Sequence, residues 1–151
     1  MIKVGEKQEG LNYQERKSSY GILTNSEGQI AVTYHENWGL IFLGGKIEEG
    51  ETPEQTIIRE TLEEVGYEVD NLKYYDSTSA YYDIYFRGMG LIHSHNLAEF
   101  YTGIIKDKIK EPIEPDTSIK WYYPDELKGK MKLEFQNLML DKYIKDTVKT
   151  K

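Results

Sequence analysis

The chain predicts one α+β domain over residues 1–151, a mixed sheet sandwiched between helices. Three observations carry that reading. Strand-like runs rich in tyrosine and β-branched residues fill most of the chain. Two segments, one beginning at Thr52 and one spanning residues 131–148, carry helical periodicity. A length of 151 residues, 38% hydrophobic and 30% charged, suits a single folded core rather than a disordered chain.

The elements follow in order. Residues 17–24 read as a strand, Asn25-Ser26-Glu27-Gly28 as a turn, and residues 29–35 as the second arm of a hairpin. Residues 40–43 form a short apolar strand that runs into Gly44-Gly45, where adjacent glycines imply close backbone approach or an unusual φ. A helix follows. Thr52 caps it, Pro53 takes its first position, Gln55 completes a capping box, and Gly66 ends it. Ile58, Thr61, Leu62 and Val65 read as its core-facing stripe, opposite an acidic side. Residues 67–77 and 80–86 read as two strands. Residues 87–96, with Gly88, Gly90, His93 and His95, read as a loop. Residues 98–105 and 119–123 are further strands, Pro124 stops the last, and residues 131–148 form the second helix.

Bulk properties narrow the function. With 26 acids against 19 bases the net charge is −7, so non-specific binding to nucleic acid or to an anionic membrane is not expected. A small phosphate ligand stays open, because a bound cation can invert the local sign. The absence of cysteine removes disulfides, thiolate metal sites and a cysteine nucleophile. No apolar run approaches membrane-spanning length, and the cytoplasm is the default location.

The chemistry concentrates in residues 45–67, GKIEEGETPEQTIIRETLEEVGY. Glu60, Glu63 and Glu64 fall within about 100° of arc on one helix. Such a cluster alone is ordinarily a solvated face. Repelling carboxylates are also what a hard divalent cation binds. The spacing decides between these. Gly45, Glu51, Arg59, Glu60, Glu63, Glu64 and Gly66 stand in the register of the Nudix box. Seven identities would match one register by accident with probability on the order of 10⁻⁸.

The chain therefore resembles the Nudix hydrolase family (MutT-like). The run Trp121-Tyr122-Tyr123-Pro124-Asp125-Glu126-Leu127 and the C-terminal helix extend the likeness. Thr61 and Tyr67 replace the aliphatic residues the family places there, at packing rather than ligand positions.

The resemblance implies an α/β/α sandwich. It also implies hydrolysis of a nucleoside diphosphate linked to another moiety, with Mg²⁺ or Mn²⁺: a nucleoside triphosphate, a nucleotide sugar or ADP-ribose, or a dinucleoside polyphosphate. It makes Glu60, Glu63 and Glu64 metal ligands, with the Gly44 carbonyl as a fourth. Arg59 and Glu51 become the internal ion pair, Gly45 the close-approach glycine, and Gly66 the exit from the helix. Glu63 or Glu64 would serve as general base, and Glu99 is the candidate glutamate outside the box. Arg16, Arg87, Tyr81 and Tyr82 are candidate substrate contacts, and His93 or His95 could touch a phosphate if their loop closes. Relatives of this kind are often dimers, which leaves a homodimer open. The rival reading is a non-catalytic nucleotide sensor on the same fold.

Overall fold

A computed structural model describes residues 1–113 and 118–149. Seven strands form one mixed sheet: β1 (Ile2–Val4), β2 (Gln14–Thr24), β3 (Ile30–His35), β4 (Gly39–Lys46), β5 (Tyr67–Phe86), β6 (Gly90–Lys108) and β7 (Ile119–Tyr122). Their spatial order is β1-β5-β6-β2-β4-β3-β7. Helix α1 (Pro53–Val65) lies on one face and α3 (Glu134–Lys149) on the other, with the short α2 (Pro124–Leu127) between β7 and α3.

The two faces carry separate cores. Tyr20, Ile22, Phe42 and Phe100 pack against Phe135, Met139 and Leu140 of α3. Leu23, Leu43, Tyr101 and Ile105 pack against Ile57 and Val65 of α1. A strand covered on both faces is apolar or small at successive positions, and β2 is buried without a break from Ser18 to Leu23.

Strand β2 is the centre of the topology. It runs parallel to β6 over its full length and antiparallel to β4. The expected hairpin with β3 is reduced to one pair, Thr24 with Ile30. The Asn25 side chain holds that corner by accepting from the amides of Glu27 and Gln29.

The two strands expected over residues 67–86 are one 20-residue strand. Register shifts between Tyr67 and Asp76, with Asn71 at a φ of 60°, bend it without ending it. The loop expected over residues 87–96 is mostly strand: only residues 87–89 turn, and His93 and His95 stand on β6. The glycines there mark a tight hairpin tip.

Helix α1 follows its caps. Thr52 Oγ1 accepts from the Gln55 amide, and the Gln55 side chain accepts from the Thr52 amide. Gly66 closes the helix at a φ of 79°, donating to the carbonyls of Leu62 and Thr61. A Cβ there would lie 1.9 Å from the Lys110 carbonyl oxygen, so conformation and space both demand glycine.

The core stripe needs one correction. Ile57 is fully buried, whereas Ile58 is 41% exposed. Thr56, Ile57, Thr61, Glu64 and Val65 form the inward face. Burying Ile57 stabilises the helix docking by about 1.5–3 kcal/mol.

Candidate active site

The loop from Lys46 to Thr52 is held to α1 by Arg59. Its guanidinium donates to Glu51 Oε2 at 2.5 Å and Oε1 at 3.0 Å, and to the Lys46 carbonyl at 3.2 Å. Glu51 also accepts from the Glu48 amide at 3.0 Å and from Thr56 Oγ1 at 2.9 Å. The Arg59 hydrogen bonds, helped by the Glu48 amide, hold the Glu51 carboxyl down at about 2. The expected internal ion pair is thus present, and it is a bidentate one.

The three box glutamates sit in unlike surroundings. Glu60 is pressed against Gly45, where a Cβ would lie 3.0 Å from the Glu60 carboxyl carbon, so the glycine makes room for the carboxylate. Burial pushes the Glu60 carboxyl above the usual range, against the pull of Arg59. Glu64 is not on an exposed acidic side but 6% exposed. It takes a hydrogen bond from Thr33 Oγ1 of β3 at 3.3 Å and stands one helical turn from Glu60. Glu63 lies nearer the surface and accepts from Arg59 at 3.3 Å.

Among the described residues, no three His, Asp or Glu side chains are gathered in position to hold a metal ion. Arg59 reaches both Glu60 and Glu63 instead, at 2.9 and 3.3 Å. The donor chemistry still fits a hard cation. Carboxylates one helical turn apart repel when ionised, and a divalent cation would relieve that repulsion. Glu60 and Glu64 are the pair that would hold it. Gly44, the expected carbonyl donor, stands beside Gly45 in β4 at a φ of 146°, with a would-be Cβ only 2.1 Å from the Ser19 carbonyl oxygen.

The remaining candidates scatter. Glu99 lines a cleft of about 400 Å³ with Lys17, Ile47, Glu51, Pro53 and Ser77, at the start of α1. It shares that cleft with Glu51, not with Glu60, Glu63 or Glu64. Tyr81 and Tyr82 point to opposite faces of β5. Tyr81 stacks on His95 at 4.1 Å between ring centroids, and Tyr82 stacks on Phe135 at 5.7 Å. His93 bonds Asp83 at 2.6 Å and His95 bonds Ser79 at 3.0 Å, so both histidines serve the β5–β6 hairpin. Arg87 pairs with Glu36 at 2.7 Å between two hairpin tips.

Arg16, another substrate candidate, lines a pocket with an aromatic wall. Its guanidinium carbon lies 5.1 Å from the Trp38 ring centroid, above a small cavity also lined by Lys46, Phe86, Ile92 and Ser94. Its Nε is buried with no hydrogen-bond partner among the described residues. Lys46 links this pocket to the box, since its own carbonyl is held by Arg59. Sequence reasoning passed over Thr33, Trp38 and Lys46. Their partners lie on other elements, and nothing in their immediate neighbours marks them.

Comparisons with known proteins bear on the family and the fold. The NUDIX domain model matches residues 15–143. Over 51 residues the chain is 49% identical to an 8-oxo-dGTP diphosphatase of Escherichia coli, covering 30% of this chain and 40% of that protein. Over 61 residues it is 41% identical to the Haemophilus influenzae 8-oxo-dGTP diphosphatase, covering 37% and 45%. The matched segments thus span less than half the length of these curated relatives. A MutT protein of Methanosarcina mazei superimposes with a TM-score of 0.62 at 16% identity, over 91% of this chain and 99% of that one, a likeness of fold alone. With the box in register, the sheet between two helices and a domain match across most of its length, the chain belongs to the Nudix family.

Proposed function

We propose that residues 1–151 form one Nudix domain that hydrolyses a phosphoanhydride bond in a nucleotide, with Mg²⁺ or Mn²⁺ bound by Glu60 and Glu64. The observation that carries this is Glu60, half-buried against Gly45, one helical turn from the buried Glu64. Burial raises the Glu60 carboxyl and Glu64 is only 6% exposed, a cost of desolvation that a bound cation would relieve. When bound, the cation supplies charge neutralisation at the phosphate oxygens and orients a water.

The chain's own groups do the rest. Arg59 locks the loop that ends in Glu51 and so fixes where Gly45 meets Glu60. Glu63, the most exposed of the three, is placed to accept a proton from water once it leaves Arg59, with Glu64 as the other candidate base. The Gly44 carbonyl is a further ligand candidate. Glu99 would act only on a substrate long enough to reach the neighbouring cleft. Arg16 and Lys46 offer two positive charges beside the aromatic faces of Trp38 and Phe86, a combination suited to a phosphate next to a base.

Among substrates, nucleoside triphosphates have the most support, since the named curated relatives act on 8-oxo-dGTP. Nucleotide sugars, ADP-ribose and dinucleoside polyphosphates are the other classes to assay. The test is a panel of these compounds with Mg²⁺, following phosphate-containing products. Turnover that vanishes in Glu64→Gln while the fold persists supports the proposal. Mg²⁺-independent nucleotide binding without turnover across the panel would instead favour a sensor.

A further inference from the structure

Strand β5 has an open edge. Its inner edge pairs with β6 from Tyr67 to Phe86, but on its outer edge β1 covers only Thr78 to Ala80. Among the described residues no strand pairs with the outer edge of residues 82–86. The backbone orientation there follows from two contacts. The Phe86 carbonyl accepts from the Met89 amide inside the hairpin tip at 3.0 Å, so it points inward. The Tyr81 carbonyl points outward, because a Cβ on Gly5 would meet it at 2.4 Å. By alternation, the amide and carbonyl groups of Asp83 and Tyr85 face the open edge. The side chains around them are also uncovered: Tyr85 is 65% exposed and its cross-strand partner Leu91 60%. An unprotected edge with apolar side chains is a template for another strand.

We infer that this edge pairs with the same edge of a second copy of the chain, antiparallel, with Tyr85 on the two-fold axis. The charge pattern selects that occupant and that register. Asp83 lies two residues before Tyr85 on the strand and Arg87 two residues after it, at the first position of the turn, so self-pairing about Tyr85 brings each Asp83 beside the partner's turn residue Arg87, twice over. Both groups keep bonding capacity for it. Arg87 gives Nη1 to Glu36 and Asp83 gives Oδ1 to His93, which leaves the other guanidinium nitrogens and Asp83 Oδ2. A slip of one residue would lose both ion pairs and turn Tyr85 away from its mate.

The test is sedimentation of the full chain over a dilution series, with circular dichroism to verify folding. The wild type should show a concentration-dependent dimer. Asp83→Arg and Arg87→Asp should each weaken it by at least about tenfold in Kd, because like charges then face each other. The double exchange Asp83→Arg with Arg87→Asp should restore it. An independent arm uses the cysteine-free background. Tyr85→Cys should form a disulfide-linked dimer on mild oxidation, since directly opposed hydrogen-bonded residues stand about 5.5 Å apart at Cα, within disulfide reach. This arm decides the matter if a charge variant fails to fold. A wild type that stays monomeric at every concentration, with no disulfide from Tyr85→Cys, overturns the inference. So does a dimer indifferent to both single charge reversals, or a folded double exchange that stays monomeric.

Discussion

The Nudix box and the β5–β6 hairpin are built on opposite principles. In the box, Arg59 meets Glu51, Glu60 and Glu63, all within eight residues of itself. In the hairpin, His93 meets Asp83, His95 meets Tyr81 and Ser79, and Arg87 meets Glu36, each from another turn or strand. The box holds a chemical arrangement through contacts its own segment supplies. The hairpin acquires its arrangement only when strands align. Substitutions in the box should therefore act on turnover and docking of one helix, and those at the hairpin tip should act weakly on either.

The largest effect is expected from Glu64→Gln. It leaves the Thr33 contact intact but removes the charge, and kcat should fall by about 10²–10⁴ with the circular dichroism spectrum unchanged. Wild-type turnover in this variant would break the assignment of the helix.

Next comes packing under the same helix. Ile57→Ala should cost about 2–5 kcal/mol in denaturant melts, whereas Ile58→Ala, one residue away, should stay within about 0.5 kcal/mol. Equal losses at both positions would contradict the inward face described above.

The third expectation is a pH effect of two signs inside the box. Glu51 is held at about 2, so its contribution is present above the ordinary value of 4.5 and is lost as pH falls from there toward 2. Glu60 is raised, so the folded state favours its protonated form, and its contribution is lost as pH rises above 4.5. Melting temperature against pH should therefore drop less steeply on the acid side in Glu51→Gln, and decline less on the neutral side in Glu60→Gln. Mg²⁺ should raise the melting temperature of the wild type at neutral pH, and do so less in Glu60→Gln.

The smallest effect belongs to the hairpin tip. The Arg87–Glu36 pair is exposed on both sides, so Arg87→Ala should change chain stability by no more than about 1 kcal/mol. A larger loss would mean that the tips brace the sheet.

Legibility from sequence divides along the same line. The capping box at Thr52 and Gln55 and the stop at Gly66 are readable because each partner lies within about two helical turns of the other, whereas the Arg59–Glu51 pair follows from the resemblance to the Nudix box. The misreadings arose where partners lie far apart. Glycines at 88 and 90 suggested a loop because their cross-strand pairing is invisible locally. Ile58 was preferred over Ile57 because helical phase alone does not say how a helix is rolled on its sheet. Glu64 is predicted on the side opposite the core stripe, and its burial beside Thr33 of β3 is invisible from the helix alone.

Local order along the chain specified the acidic cluster and the capped helix that bears it: short-range hydrogen bonds and caps act between neighbours, whatever the rest of the fold does. How deep each carboxylate lies, that Thr33 reaches Glu64, and that Arg16 comes to rest on Trp38 were settled by the packing of strands against a helix. Burial and its electrostatic consequences belong to the assembled layers, because desolvation is a property of everything around a group and not of its neighbours in sequence.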